Sequence, residues 1–273
     1  MKPRATFLAL CLAAAGLAFQ PASAEEITVA VGSGFTTLDP YDATDMLSRA
    51  AAKSFYEGLF TFDENMKPVP QLAQSCETSP DGLVYTIKLR PNVKFHDGTT
   101  LDAEAVKLNI DRLLDPANHL SRRTYFTPIE KVEVADPLTV RITLKHPLGT
   151  FLSRLANGTV QMVCPSLLKS GKDVAFNACG TGPYVLKDYN PSERLYVVKN
   201  PNYRVAGLPK LDGILWRPVV ENSTRAAMVR TGEAQFAHPM PAEQIKVLQN
   251  DPKIDILVQP SVIVRYLFIN NLQ

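Results

Sequence analysis

The chain has 273 residues, 45% of them hydrophobic and 21% charged, with 29 basic against 27 acidic side chains. That length allows one large domain or two modest ones, with ample core. The near-balance of charge implies no nucleic-acid partner, and none is expected.

The first residues read as a targeting segment. Lys2 and Arg4 precede an apolar stretch from Phe7 to Phe19, and Ala22-Ser23-Ala24 follows as the small-x-small pattern of a signal peptidase site. The apolar stretch is shorter than the roughly 20 residues of a membrane-spanning helix. Cys11 follows Leu10, where lipid attachment would want a small residue, so no lipid anchor is expected. Residues 1–24 are therefore expected to be a cleaved signal peptide and the remainder to be exported to the periplasm. Lys2 and Arg4 account for the whole formal charge of +2, because the leader carries no acid. Cys76, Cys164 and Cys179 remain after export. An oxidising compartment makes a disulfide reasonable, with Cys164 and Cys179 the best pair and Cys76 left as a small buried hydrophobe. No Cys-x-x-Cys pair or Cys/His cluster occurs, so neither a metal site nor a cofactor is expected.

In chain order, Ile27–Val31 alternates and is rich in β-branched residues, a strand ended by Gly32-Ser33-Gly34. Asp45 is placed to cap a helix with Leu47, Ala51 and Phe55 on one face and Gly58 at its end. Pro68-Val69-Pro70 carries the chain across a surface, Asp81-Gly82 marks a hairpin from the Cys76 region into Val84–Leu89, and Asp97-Gly98 a second tight turn. Asp102 caps a helix carrying Val106, Ile110 and Leu113, and Asp136-Pro137 joins the strands 129–134 and 139–144. Short helices are expected near Phe151 and after Pro165. The turn Gly180-Thr181-Gly182-Pro183, whose glycines permit backbone angles other residues avoid, then leads into a hairpin over 184–199. A phosphate cradle there is rejected, since neither Lys-Ser/Thr nor a helix follows. The run Ile214–Val219 reads as a strand buried on both faces. A helix with Ala227 and Met228 inward ends at Gly232, another with Ile245 and Leu248 inward opens at Pro241, and strands are expected at 254–258 and 262–269.

The hairpin-rich part, 58–178, interrupts a strand–helix–strand part made of 25–57 and 179–273, so a domain inserted within another is expected.

Five separated motifs carry a family resemblance: Leu38-Asp39-Pro40, Phe55-Tyr56-Glu57-Gly58-Leu59, Val93–Thr99, Gly180–Tyr184 and Thr231-Gly232-Glu233-Ala234. In this order and spacing the chain resembles the peptide/nickel class of extracytoplasmic solute-binding proteins that serve ABC importers, family 5. Within it, Thr36–Ala43, Asp115–Leu120, Gly207–Asp212 and Trp216–Val219 look closest to members that take glutathione. The resemblance implies an α/β fold of periplasmic-binding-protein type II, two lobes closing on a ligand, with the inserted domain in the first. Family members run to about twice this length, so the resemblance also implies that this chain corresponds to the N-terminal half, without the second lobe.

The implied function is capture of glutathione or a related short peptide, by a monomer, for delivery to the membrane permease of an ABC importer. Dipeptide, oligopeptide, nickel-chelate or haem binding within the class is the alternative, and a secreted hydrolase the distant one. Glutathione carries two carboxylates, an ammonium and a thiol, so its site needs paired cations, an acidic acceptor and hydroxyls. The resemblance places Thr36, Thr37 and Asp42 on a loop at the lobe interface, Arg123 and Tyr125 on an irregular segment of the insert, and Arg265 and Tyr266 on the strand toward the second lobe. Arg123 and Arg265 suit a fork-like carboxylate clamp and Asp42 an ammonium acceptor. Arg225 reads as structural and Trp216 as core. His96, His119, His146 and His238 share no ligand spacing, and no nucleophile–base motif appears, so an enzyme is not expected.

Overall fold

The computed structural model describes residues 25–158 and 160–258. The expected signal peptide, the expected strand 262–269, and Arg265 and Tyr266 lie outside them.

The strands are β1 (Glu26–Val31), β2 (Phe60–Phe62), β3 (Pro68–Pro70), β4 (Ala73–Thr78), β5 (Val84–Leu89), β6 (Ile129–Asp136), β7 (Thr139–Leu144), β8 (Tyr184–Asn190), β9 (Arg194–Lys199), β10 (Gly213–Pro218) and β11 (Phe236–His238). The helices are α1 (Met46–Phe55), α2 (Ala103–Leu114), α3 (Phe151–Ala156), α4 (Pro165–Lys169), α5 (Asn222–Thr231) and α6 (Ala242–Leu248). One mixed sheet has the order β11-β1-β10-β9-β8, a second, antiparallel, the order β4-β5-β7-β6, and β2 pairs β3 alone. In the mixed sheet β1 runs parallel to both β10 and β11, while β9 returns antiparallel to β10.

The caps read from the sequence are formed. Asp45 accepts from Ser48 N at 2.8 Å and Asp102 from Ala105 N at 2.8 Å, each satisfying a helix-end donor. Gly232 closes α5 in the left-handed region at φ +79°, where a Cβ would be strained. One hydrophobic core runs through both larger sheets, from Val29 and Val31 past Phe55 and Tyr56 to Ile87, Val106, Ile110, Val140 and Ile142. Completely burying a side chain such as Phe55 contributes about 1.5–3 kcal/mol. A smaller cluster of Ala30, Met228 and Ala234 lies apart from it.

Several expectations change. Gly58 does not end α1; the helix stops at Phe55, where Tyr56 turns extended. Pro68–Pro70 forms a strand against β2 instead of a plain surface connection. Ala226, not Ala227, faces inward from α5, because the buried set is phased on Arg225 and Met228. Residues 254–258 form no strand. β10 is central in its sheet yet only its first residue is fully buried, since Ile214 and Trp216 pack on the main core while Leu215 joins neither core cluster.

The Gly180-Thr181-Gly182 turn also differs in its physical basis. Neither glycine sits at positive φ. A Cβ on Gly180 would lie 2.2 Å from Phe55 O and 2.4 Å from Tyr56 Cδ1, and one on Gly182 2.6 Å from Phe55 C. The glycines are there for close approach, which lets Gly182 N donate to Phe55 O at 3.1 Å and dock the turn on the carboxyl end of α1. The Cys164–Cys179 disulfide is formed, with Cα atoms 5.3 Å apart, and leads directly into this turn. Cys76 is a free, half-buried thiol on β4.

Candidate functional site

Parallel strands direct their carboxyl ends, and the loops that follow, to one rim of a sheet, and open α/β sheets bind ligands there. In this chain that rim is built by the ends of β1, β10 and β11. Val219 N donates to Val31 O at 2.7 Å and Gly32 N to His238 O at 3.2 Å, tying the three strand exits together. Beneath them sits Arg225, only 1% exposed. Its guanidinium donates to Val219 O at 2.7 Å, Val220 O at 2.9 Å and Pro239 O at 2.9 Å, and to Asn222 Oδ1. A buried charge needs such a set of acceptors. Gly32 packs on this knot, its missing Cβ 3.1 Å from Pro239 Cδ and 3.5 Å from Arg225 Cζ. The backbone N–H groups of Ser33 and Gly34, next along the chain, have no hydrogen-bond partner among the described residues. Phe35, Tyr189 and Trp216 stand edge-on behind them with ring centroids 6.3 and 6.4 Å apart. A cavity of about 600 Å³ beside Tyr189 is lined by Phe176, Lys172 and Lys187 among others.

Of the sequence-predicted residues, Thr36, Thr37 and Asp42 lie along the loop that leaves this rim, and Arg123 and Tyr125 lie on the 120–125 segment. Thr36 is exposed; its N–H donates to Ser48 Oγ at 2.9 Å and its hydroxyl to Asp45. Burial pushes the Asp45 carboxyl up, but the Ser48 N–H and the Thr36 and Ser48 hydroxyls outweigh it and hold the carboxyl below its usual range. Thr37 is buried, and its hydroxyl accepts from Asp39 N at 3.0 Å. Asp42 accepts from Ser121 N at 3.2 Å and Ser121 Oγ at 2.6 Å. Arg123 Nε donates to Leu114 O at 2.7 Å, fastening the segment to the end of α2. Tyr125 is half exposed, with the Arg122 guanidinium 5.8 Å from its ring centre. The structure thus brings the 36–45 loop against the 120–125 segment, through Asp42 and through Arg122, which donates to Ala43 O at 2.7 Å. Asp42 is bonded across that contact, Thr37 within its own loop, and Arg123 through Nε to the end of α2.

Two buried ionic clusters escaped the sequence reading. Glu57, 2% exposed, accepts from Arg204 Nη2 at 2.7 Å and Nε at 3.1 Å, from Tyr203 Oη at 3.1 Å and from Thr181 Oγ1 at 3.0 Å. Burial, then the Glu57 charge, push the Tyr203 phenol up to about 12. Asp39 accepts from Tyr41 N at 2.9 Å and pairs with Arg112, whose guanidinium lies 5.6 Å from the Tyr41 ring centre. The partners are separated by 73 positions in one case and 147 in the other, so no local spacing signals them. Arg225 was read as structural, and its contacts agree.

Among the described residues, one His/Cys/Asp/Glu group brings ligand-type atoms close together, namely Asp97, Cys164 and Cys179. Its two sulfurs are bonded to each other and offer no thiolate.

Residues 67–273 match the model of the bacterial extracellular solute-binding proteins, family 5. The chain is 50% identical over 268 residues to the glutathione-binding protein GsiB of Escherichia coli O1:K1, covering 98% of this chain and 52% of that protein. It therefore spans about half the length of the curated relatives it matches. Among solved structures it is similar to the periplasmic binding protein AgaA of A. tumefaciens R10 in complex with agropinic acid (TM-score 0.78, 28% identity, 83% of this chain and 46% of that one). It is likewise similar to DppA of Helicobacter pylori in complex with the peptide STSA (TM-score 0.76, 28% identity, 83% and 49%). Motifs, mixed α/β sheet and comparisons converge, and the chain belongs to family 5 of the bacterial extracellular solute-binding proteins.

Proposed function

We propose that the chain is part of an exported, periplasmic, monomeric solute-binding protein that captures glutathione, or a closely related short peptide, and delivers it to the permease of an ABC importer. The single observation that carries the ligand class is the open backbone of Ser33 and Gly34 at the carboxyl-end rim. Unpartnered N–H groups beside a strand end receive an extended peptide backbone as an added strand would. The 50% identity to a glutathione-binding protein narrows the peptide.

In this reading 25–57 with 179–273 form the first lobe and 58–178 an inserted domain. The ligand wall comprises Thr36, Thr37, Asp42, Arg123 and Tyr125; the resemblance also names Arg265 and Tyr266, which lie outside the described residues. Tyr125 and Thr36, the exposed members, touch the ligand, while Thr37, Asp42 and Arg123 hold the wall's shape. Capture is closure around the ligand, a population shift without chemistry.

Calorimetric titration of the exported protein with reduced glutathione, oxidised glutathione and dipeptides tests this. Binding of a glutathione form is expected. Binding of dipeptides with neither glutathione form ends the ligand assignment, and steady turnover of any peptide ends the transport reading.

A further inference from the structure

His96 lies in the tight turn between Lys94 and Thr100 and reaches across to the Gly180–Gly182 turn. Three hydrogen bonds join the two segments. His96 N donates to Gly180 O at 2.8 Å, Gly180 N donates to His96 Nδ1 at 3.2 Å, and His96 Nε2 lies 3.0 Å from Gly182 O. The chemistry of the partners decides the ring's protonation state. A carbonyl oxygen only accepts, so Nε2 carries a hydrogen; a backbone N–H only donates, so Nδ1 must be bare. Only the neutral Nε2–H tautomer satisfies both.

Protonation puts a hydrogen on Nδ1, facing the Gly180 N–H. One hydrogen bond is lost and two N–H dipoles oppose each other. The Gly180 backbone cannot retreat, since it already stands against Phe55 O and Tyr56 Cδ1 with no room for a methyl group. Gly182 O cannot shift freely either, because it also accepts from Asn200 Nδ2 at 2.9 Å. We propose that His96 is a proton-operated latch, closed when its ring is neutral and opened by its protonation, that couples the 94–100 hairpin to the turn docked on α1.

The charged groups around the ring set the direction. On its own hairpin, Asp97 attracts an imidazolium, but its carboxylate is held by Ser166 Oγ of α4 and by Thr99 N and Oγ1. Lys94 is turned to Thr100. On the turn side Glu57 binds Thr181 Oγ1 and is spent on Arg204. The Cys164–Cys179 disulfide is neutral. Burial is the leading influence and lowers the His96 pKa below its ordinary 6.5, against the Gly182 carbonyl and Asp97, which raise it. The latch thus contributes fully above about pH 6.5, the unfolded value, and is lost as pH falls through the lowered folded value. Every unit of that lowering makes the closed-to-open ratio about tenfold smaller once the ring is protonated.

Ring-nitrogen NMR of the exported protein, with amide exchange at Gly180, tests the latch. The Nε2–H signature is expected at neutral pH, with titration below 6.5 and Gly180 protection falling in step with it. His96→Asn places an oxygen where Nδ1 stands, keeps the acceptor and removes the proton equilibrium. It is expected to flatten the loss of thermal stability between pH 7 and 5 relative to the native chain. An Nδ1–H ring, titration at or above 6.5, Gly180 protection that does not follow the ring, or an unchanged pH profile in His96→Asn would each overturn the proposal. If His96→Asn does not fold, the ring titration and Gly180 exchange of the native protein decide alone.

Discussion

Glu57→Ala is the most informative single change to stability. The carboxylate is 2% exposed and receives two guanidinium N–H groups of Arg204 plus the Tyr203 and Thr181 hydroxyls. Removing it leaves an Arg204 side chain that is only 23% exposed without its counter-charge. Stranding one partner of a buried pair costs about 3–5 kcal/mol. The partial exposure of Arg204 pulls the figure toward the lower end, and the two hydroxyls that lose an acceptor, at about 1 kcal/mol each, pull it back. For a domain of this size, about 3–5 kcal/mol corresponds to a melting-temperature drop of roughly 6–20 °C. Urea unfolding of Glu57→Ala, Arg204→Ala and the double variant gives the cost and the coupling. A coupling energy near zero, or a cost for Glu57→Ala below about 1 kcal/mol, would refute the reasoning, because the cluster would then be an ordinary surface pair. Glu57→Gln gives an independent readout. With the charge gone, the Tyr203 phenol, now pushed up to about 12, is expected to titrate lower, by ultraviolet absorbance, though burial still holds it above 10.

Gly182→Ala forces a methyl group to within 2.6–2.9 Å of the Phe55 backbone and is expected to destabilise by about 1–3 kcal/mol, read as a lower urea midpoint with an unchanged slope. An unchanged midpoint would mean that the turn does not dock on α1. Replacing Cys164 and Cys179 together by serine is expected to cost about 3 kcal/mol for a closure of 15 residues, measured as the stability difference from the oxidised native chain.

The local features were legible because they rest on local physics. Asp45 and Asp102 announce helix starts, Asp81-Gly82 and Asp97-Gly98 announce tight turns, and alternation over 84–89 and 139–144 announces strands that do pair. The same reasoning failed at 254–258, where the alternating residues pair with no strand among the described residues. It also misread the turn glycines. Gly180 and Gly182 looked like conformational freedom, yet their use is steric, and only the position of Phe55, 125 residues away at Gly180, reveals that. The candidate site divides in the same way. The Thr36–Asp42 loop and the Thr37–Asp39 bond, two residues apart, are local, but the bonds of Asp42 to Ser121 and of Arg123 to Leu114 join separate segments that no motif brings together.

What the sequence by itself determined is therefore most of the helices and the longer hairpin strands, the caps of α1 and α2, the disulfide pair and the family, since each follows from residues near one another or from motifs in fixed order. The tertiary structure alone decided which ions are buried together, which backbone groups at the rim stay open and which tautomer His96 must hold. Those properties depend on distances between segments far apart in the chain, and a hydrogen bond or a buried charge is set by angstroms in space, not by separation in sequence.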